Sequence, residues 1–108
     1  MTDYEINQRI DLEHELVAFL FKTARAAGFI PIKVWDGEET IRGADRALID
    51  AIFSVDESSA YFKHPDQDSA HVAFIVLGND GYDAICDNSV GPGWDEVIAA
   101  VEDRFEPS

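Results

Sequence analysis

The 108-residue chain has room for one hydrophobic core, and its 46% hydrophobic content is that of a packed domain rather than a disordered chain. Its 22 acidic residues against 8 basic ones give a formal net charge of −14. Direct binding to nucleic acid or to an anionic membrane needs Lys and Arg to neutralise phosphate, so neither is expected.

No apolar run approaches the roughly 20 residues that cross a bilayer. The amino end (Met1, Thr2, Asp3) is acidic, where a secretory leader is basic and then apolar. The single cysteine, Cys86, has no intrachain disulfide partner. A reduced, cytoplasmic protein with a buried thiol is the expectation.

The first element is predicted to be a helix from residue 2 or 3 to residue 27. Ile6, Ile10, Val17, Leu20, Phe21 and Ala24 share one stripe at helical spacing. Asp3 and Glu5 sit near its start and Lys22 and Arg25 near its end, the order that a helix dipole favours. Gly28 is placed to end it in a left-handed conformation. A second row, Leu12, Leu16 and Phe19, widens the apolar face. That row is either covered by the chain's own domain or forms a homodimer contact.

Residues 29–35 have the β-branched and aromatic content of a strand, and Pro31 marks it as an edge strand or a late strand start. Asp36-Gly37 signals a turn. Residues 44–53 return to helical spacing through Ala44, Ala47, Leu48, Ala51 and Ile52.

An antiparallel meander is expected next. It comprises a strand over residues 59–63, a polar loop from His64 to Ser69, and a strand over residues 71–77. The last of these is an apolar run whose continuity predicts cover on both faces. Asn79-Asp80-Gly81 forms a tight turn into a strand over residues 82–86, with Tyr82, Ala84 and Cys86 on its buried face. Gly91-Pro92-Gly93 precedes a final helix with Trp94, Val97, Ile98, Val101 and Phe105 on one side. The expected fold is a single α+β domain of order α-β-α-β-β-β-α, a small antiparallel sheet packed by helices mainly on one face.

Residues 51–87, running through Ile52-Phe53-Ser54-Val55-Asp56 and Leu77-Gly78-Asn79-Asp80-Gly81-Tyr82-Asp83, resemble small acidic proteins of unassigned function encoded in bacterial genomes, phages and plasmids. The resemblance implies a bacterial or mobile-element origin. It brings with it no activity and no site residues.

Few residues have the pattern of a chemical site. His64 and His71 bracket Asp66 and Asp68, so a loop folded back on itself would gather two imidazoles and two carboxylates around a divalent metal. The spacing matches no ligand motif, and a solvated hairpin loop is the preferred reading. His14 stands between Glu13 and Glu15 and is expected at the surface. Asp80, Asp83 and Asp87 lie on or near one hairpin, where a turn and a polar strand face would put them without any acid–base role. Cys86 would be a nucleophile only beside a histidine, and a small core residue is the plainer role.

Phosphate-cradling glycine loops, nucleophile elbows, paired zinc cysteines and a basic recognition helix are all absent from the sequence. No catalytic residue and no cofactor is expected. Trp94 is assigned to the core; Trp35, beside the Asp36-Gly37 turn, is a candidate contact anchor, with core or edge packing as the preferred reading.

No Lys or Arg occurs between Lys63 and Arg104, while Asp66, Asp68, Asp80, Asp83 and Asp87 fall there. Together with Trp35, these five are the candidate partner-binding residues. The function expected first is a non-enzymatic protein-binding module, either with a basic protein partner or with its acidic excess serving solubility alone, the latter being the preferred reading of the charge. The alternative is a nucleic-acid mimic that blocks a basic DNA-binding or defence protein. A small enzyme using Cys86 or the His64–His71 loop ranks below both.

Overall fold

Of the expected stripe, Val17, Leu20, Phe21 and Ala24 are buried in helix α1 (Asp3–Ala26), and the Ile6 side chain lies outside the described residues. A computed structural model describes the backbone of residues 3–78 and 84–105, and the side chains of residues 9–78 and 84–105. The second row is used within the chain. Leu16 is only 2% exposed, and Leu12 and Phe19 pack against the core, with the Phe19 ring edge-on to Phe105 at 5.7 Å. Leu16 therefore offers no surface to a second copy. Ile10, expected on the buried stripe, is exposed instead. At 1.5 Å per residue the helix is about 36 Å long, whereas the strands it packs on are about 20 Å long. Its C-terminal end is tied to the sheet, so its first turns overrun the core.

That tie is a tight C-terminal cap. Phe29 N–H donates to the Ala24 carbonyl (2.9 Å) and Gly28 N–H to the Arg25 carbonyl (3.0 Å). This is the paired pattern of a Schellman ending, with Gly28 at φ +91°. The chain then enters strand β1 (Ile30–Trp35), and Phe29 is carried into the core.

The remaining elements are β2 (Thr40–Ile41), α2 (Asp45–Ile52), β3 (Glu57–Lys63), β4 (His71–Val76), β5 (Ile85–Asn88) and α3 (Trp94–Phe105). The five strands form one antiparallel sheet in the order β2-β1-β3-β4-β5. The α+β class and the meander stand as expected, with the short strand β2 as an addition. β2 pairs only with Val34 and Trp35. Pro31 therefore lies where β1 has β3 alone as a neighbour, beside a bulge between Pro31 and Lys33. Its missing N–H is tolerated there as on a true edge strand.

Three helices among the described residues pack on the sheet, and the strands alternate accordingly. Ala60 and Phe62 of β3 and Ala73 and Ile75 of β4 face the helices and are buried. Phe21 of α1 and Trp94 of α3 both meet the Phe62 ring, at 5.2 and 5.0 Å between centroids. Leu48 and Ile52 of α2 join the same cluster. Burying side chains of this size contributes about 1.5–3 kcal/mol each. Trp94 is fully buried, as expected. None of these helices is long and apolar enough to cross a membrane.

Two expectations about strands fail for identifiable reasons. β4 is covered on one face only. Its residues alternate between buried and half-buried, so the apolar run places Val72, Phe74 and Val76 on the side away from the helices. Cys86 is exposed rather than buried. The β4–β5 register pairs Ile75 with Ile85 and Phe74 with Asp87, which leaves Cys86 as the extra residue of a bulge and removes it from the alternation. The last strand also lies later than expected, at residues 85–88 instead of 82–86, and Tyr82 and Asp83 are outside the described residues.

A side chain at Gly28 would meet two penalties. Its φ disfavours any L-residue, and a Cβ there would stand 2.8 Å from Nε2 of His64. The Gly28→Ala variant is expected to lose about 1–2 kcal/mol from the backbone alone, read from its urea midpoint. Adding His64→Ala relieves the crowding but not the backbone penalty, so the double variant stays below His64→Ala alone. Equal stability of those two variants would remove the cap from the account.

Candidate interaction face

On the helix-free side, the cross-strand register places Trp35 opposite Ser59, Ser59 opposite Phe74, and Phe74 opposite Asp87. These four residues form one row across four strands, about 14 Å from end to end at the usual strand spacing. A second row runs beneath it through Lys33, Tyr61 and Val72. The Lys33 ammonium sits over the Tyr61 ring, 4.8 Å from its centroid. Trp35 is 41% exposed, while Tyr61, Val72 and Phe74 are half-buried by one another and by the strands.

The face is not flat. A hollow of about 520 Å³ opens at the Trp35 end, lined by Trp35, Asp36, Val55, Asp56, Glu57 and Phe74, among others. A neighbouring hollow of about 370 Å³ is lined by Tyr61, Val72, Asp87 and Asn88. Ser59 and Phe74 line both, so the two are continuous across the row.

The β1–β2 turn fixes the rim at the Trp35 end. Backbone N–H groups of Glu39 (2.7 Å) and Glu38 (2.9 Å) donate to Oδ1 of Asp36. The Glu39 bond first and the Glu38 bond second hold the Asp36 carboxyl below its ordinary pKa, because they favour the charged form. Across the hollow, the Asp56 carbonyl accepts from Leu77 N–H (2.8 Å), which anchors the loop before β3 to the end of β4.

Of the six candidate partner-binding residues, the structure brings Trp35 and Asp87 into one row. Asp66 and Asp68 are exposed on the β3–β4 loop, at the opposite end of β3 from the large hollow, about 20 Å away along the strand. Asp80 and Asp83 lie outside the described residues. Lys33, Ser59, Tyr61 and Phe74 were not singled out from the sequence. Their signal was the alternation Ser59, Tyr61, Lys63 in β3 and Val72, Phe74, Val76 in β4. It was masked in β4 because Ala73 and Ile75 make that run apolar throughout.

The His64–His71 loop is organised by its own hydrogen bonds, and the Lys63 ammonium donates to the His64 carbonyl (2.8 Å). His71 Nε2 meets Gln67 Oε1 (2.6 Å), while Gln67 Nε2 donates to the Pro92 carbonyl (2.8 Å). Ser89 Oγ accepts from Val72 N–H (2.9 Å) and meets His71 Nδ1 (3.2 Å). The His71 ring stacks on Trp94 and packs against Phe29, so its role here is to latch the loop onto the start of α3. His64 accepts from Asp66 N–H (3.1 Å) and also packs on Phe29. No group of three metal-ligating side chains is assembled among the described residues. His14 stacks on Phe53 at 3.7 Å.

A further hollow of about 290 Å³ lies between α1 and the end of α2. Of its two acidic residues, Glu13 and Asp56, Glu13 is 3% exposed and already engaged, accepting from Gly78 N–H (2.8 Å) and facing Arg9 Nε (3.7 Å). That contact staples the helix to the start of the β4–β5 connection.

No protein-family model matches the chain, and comparison with curated proteins and with solved structures yields no match.

Asp36 carries a pH prediction. Its folded pKa lies below the unfolded one, so the stabilisation it supplies is fully present above about pH 4, near the ordinary aspartate value. That stabilisation fades as the pH falls through the lower, folded value. In a carbon-detected NMR titration the Asp36 carboxyl should change below the ordinary aspartate range. The stability gap between the parent and Asp36→Ala should narrow as the pH drops from about 5 towards 3.

Proposed function

We propose that the chain is a non-enzymatic protein-binding module that presents the helix-free face of its sheet to a partner. The observation that carries this reading is the row Trp35–Ser59–Phe74–Asp87, which leaves two large aromatic rings on a side that none of the helices covers. Aromatic anchors in hollows with a polar rim are the features from which protein interfaces draw most of their energy.

The sheet edges favour docking on the face over addition of a strand. β2 is only two residues long. On β5 the ladder is broken at Cys86, and Asp87 turns its own carboxylate onto Asn88 N–H (2.8 Å). Short, bulged and self-capped edges resist strand addition. A nucleic-acid mimic would need its acids in phosphate-like rows. Asp66 and Asp68 lie at the opposite end of β3 from Asp36 and Asp56, so the apolar row supports ordinary protein docking better.

The test uses the tagged protein as bait in extract of the cells that make it. Trp35→Ala and Phe74→Ala should each weaken a captured partner's binding about tenfold or more, the size of a hot-spot truncation. Asp66→Ala and Asp68→Ala should leave it unchanged, and circular dichroism should show all four variants folded. A partner retained equally by every variant would place the interaction elsewhere and refute the proposal.

A further inference from the structure

The helix-free face has a chemical asymmetry that points to the class of group it takes. The large hollow is lined by the aromatic residues Trp35 and Phe74 and by three acidic residues, Asp36, Asp56 and Glu57, which come from the β1–β2 turn, the loop before β3 and the first residue of β3. No Lys or Arg lines it among the described residues. The adjoining hollow differs, because its Tyr61 ring is already covered by the Lys33 ammonium. The face thus holds one aromatic ring with a cation of the chain's own and, one row away, a more exposed ring ringed by acids.

We infer that the hollow at Trp35 binds an arginine side chain from an extended basic segment of a partner protein, its guanidinium stacked on the Trp35 indole and paired with Asp56 and Glu57. This rests on the reading of the helix-free face as an interaction surface and names its occupant. Arginine fits better than lysine for geometric reasons. A guanidinium is planar and weakly hydrated, so it can lie flat on an indole while its edge donates two parallel hydrogen bonds to a carboxylate. Lysine brings one compact, strongly hydrated charge and can satisfy either the ring or the acids well, but not both.

Charge selects among the other occupants. A second copy of this chain would bring a further −14 to an acid-rimmed hollow, and a nucleic acid would bring phosphates. Both are repelled where a basic segment is attracted. The bidentate pair that Arg25 makes with Asp45, at 2.6 and 2.7 Å between α1 and α2, shows the same fork geometry within the fold.

The probe is a short, capped, unstructured peptide carrying two arginines, with lysine and citrulline counterparts and a neutral apolar peptide as comparisons. Each is titrated into the nitrogen-labelled protein and followed by NMR. The arginine peptide should shift the Trp35 indole N–H and the amides of residues 55–59 saturably. The lysine peptide should bind about tenfold more weakly, and the citrulline peptide not at all. Asp56→Asn combined with Glu57→Gln should lower the arginine affinity about tenfold or more while the remaining spectrum stays that of the parent.

Equal binding of the arginine and lysine peptides, or shifts centred on Asp66 and Asp68, would overturn the guanidinium site. Saturable binding of the neutral peptide alone would overturn it too and leave the face as an interaction surface. Shifts that grow with protein concentration in the absence of peptide would give the face to a second copy instead. If no peptide perturbs residues 55–59 and the bait experiment is also indifferent to Trp35, both readings fall together.

Discussion

Every helix that packs on the sheet lies on the same side of it, and that imbalance governs what each strand can do. A strand offers its side chains alternately to its two faces, so it cannot be apolar throughout without exposing half of what it carries. β3 resolves this with Ala60 and Phe62 inside and Ser59, Tyr61 and Lys63 outside. β4 does not, because Val72, Phe74 and Val76 stay apolar on the outer side. Of these, Phe74 lines both hollows of the outer face and Val72 the smaller one.

One-sided packing depends in turn on how α1 is delivered to the sheet. Gly28 reverses the chain within a single turn and drops Phe29 into a ring cluster with His64, His71 and Trp94. Gln67 then ties the β3–β4 loop to the start of α3 through His71 and Pro92. A helix, a loop and a second helix are thereby fixed around one buried phenylalanine, at the end of β3 away from the large hollow. The polar groups in this cluster are largely satisfied by each other, as a buried network must be if it is to specify one packing. The Trp94 indole N–H is the exception, with no hydrogen-bond partner among the described residues.

Much of the architecture was legible in the sequence because it rests on local signals. The stripe of α3, the left-handed glycine after α1 and the meander all follow from spacing and turn chemistry. β2 was not legible, since two residues carry no periodicity and are recruited only by the turn that Asp36 organises. Cys86 was misplaced because a bulge shifts alternation by one residue, and nothing in Ala84-Ile85-Cys86-Asp87 announces where the ladder skips. For the candidate site, Trp35 and Asp87 were named separately. Their membership of one row depends on three strand registers, which are long-range properties. Phe74 was hidden for another reason: a run apolar on both faces looks the same whether its outer side meets a helix or water.

The division of labour within β3 and β4 also bears on how such a chain can diverge. Ala60 and Ala73 decide whether the sheet packs, while Ser59 and Phe74, one residue away in each strand, decide what its other side offers. Substitutions at neighbouring positions therefore act on separate properties. Exchanges at the outer positions can accumulate without loosening the interior, so descendants could keep one scaffold while drifting rapidly in whatever they meet. In a lineage of that kind, overall sequence likeness would decay faster than shape.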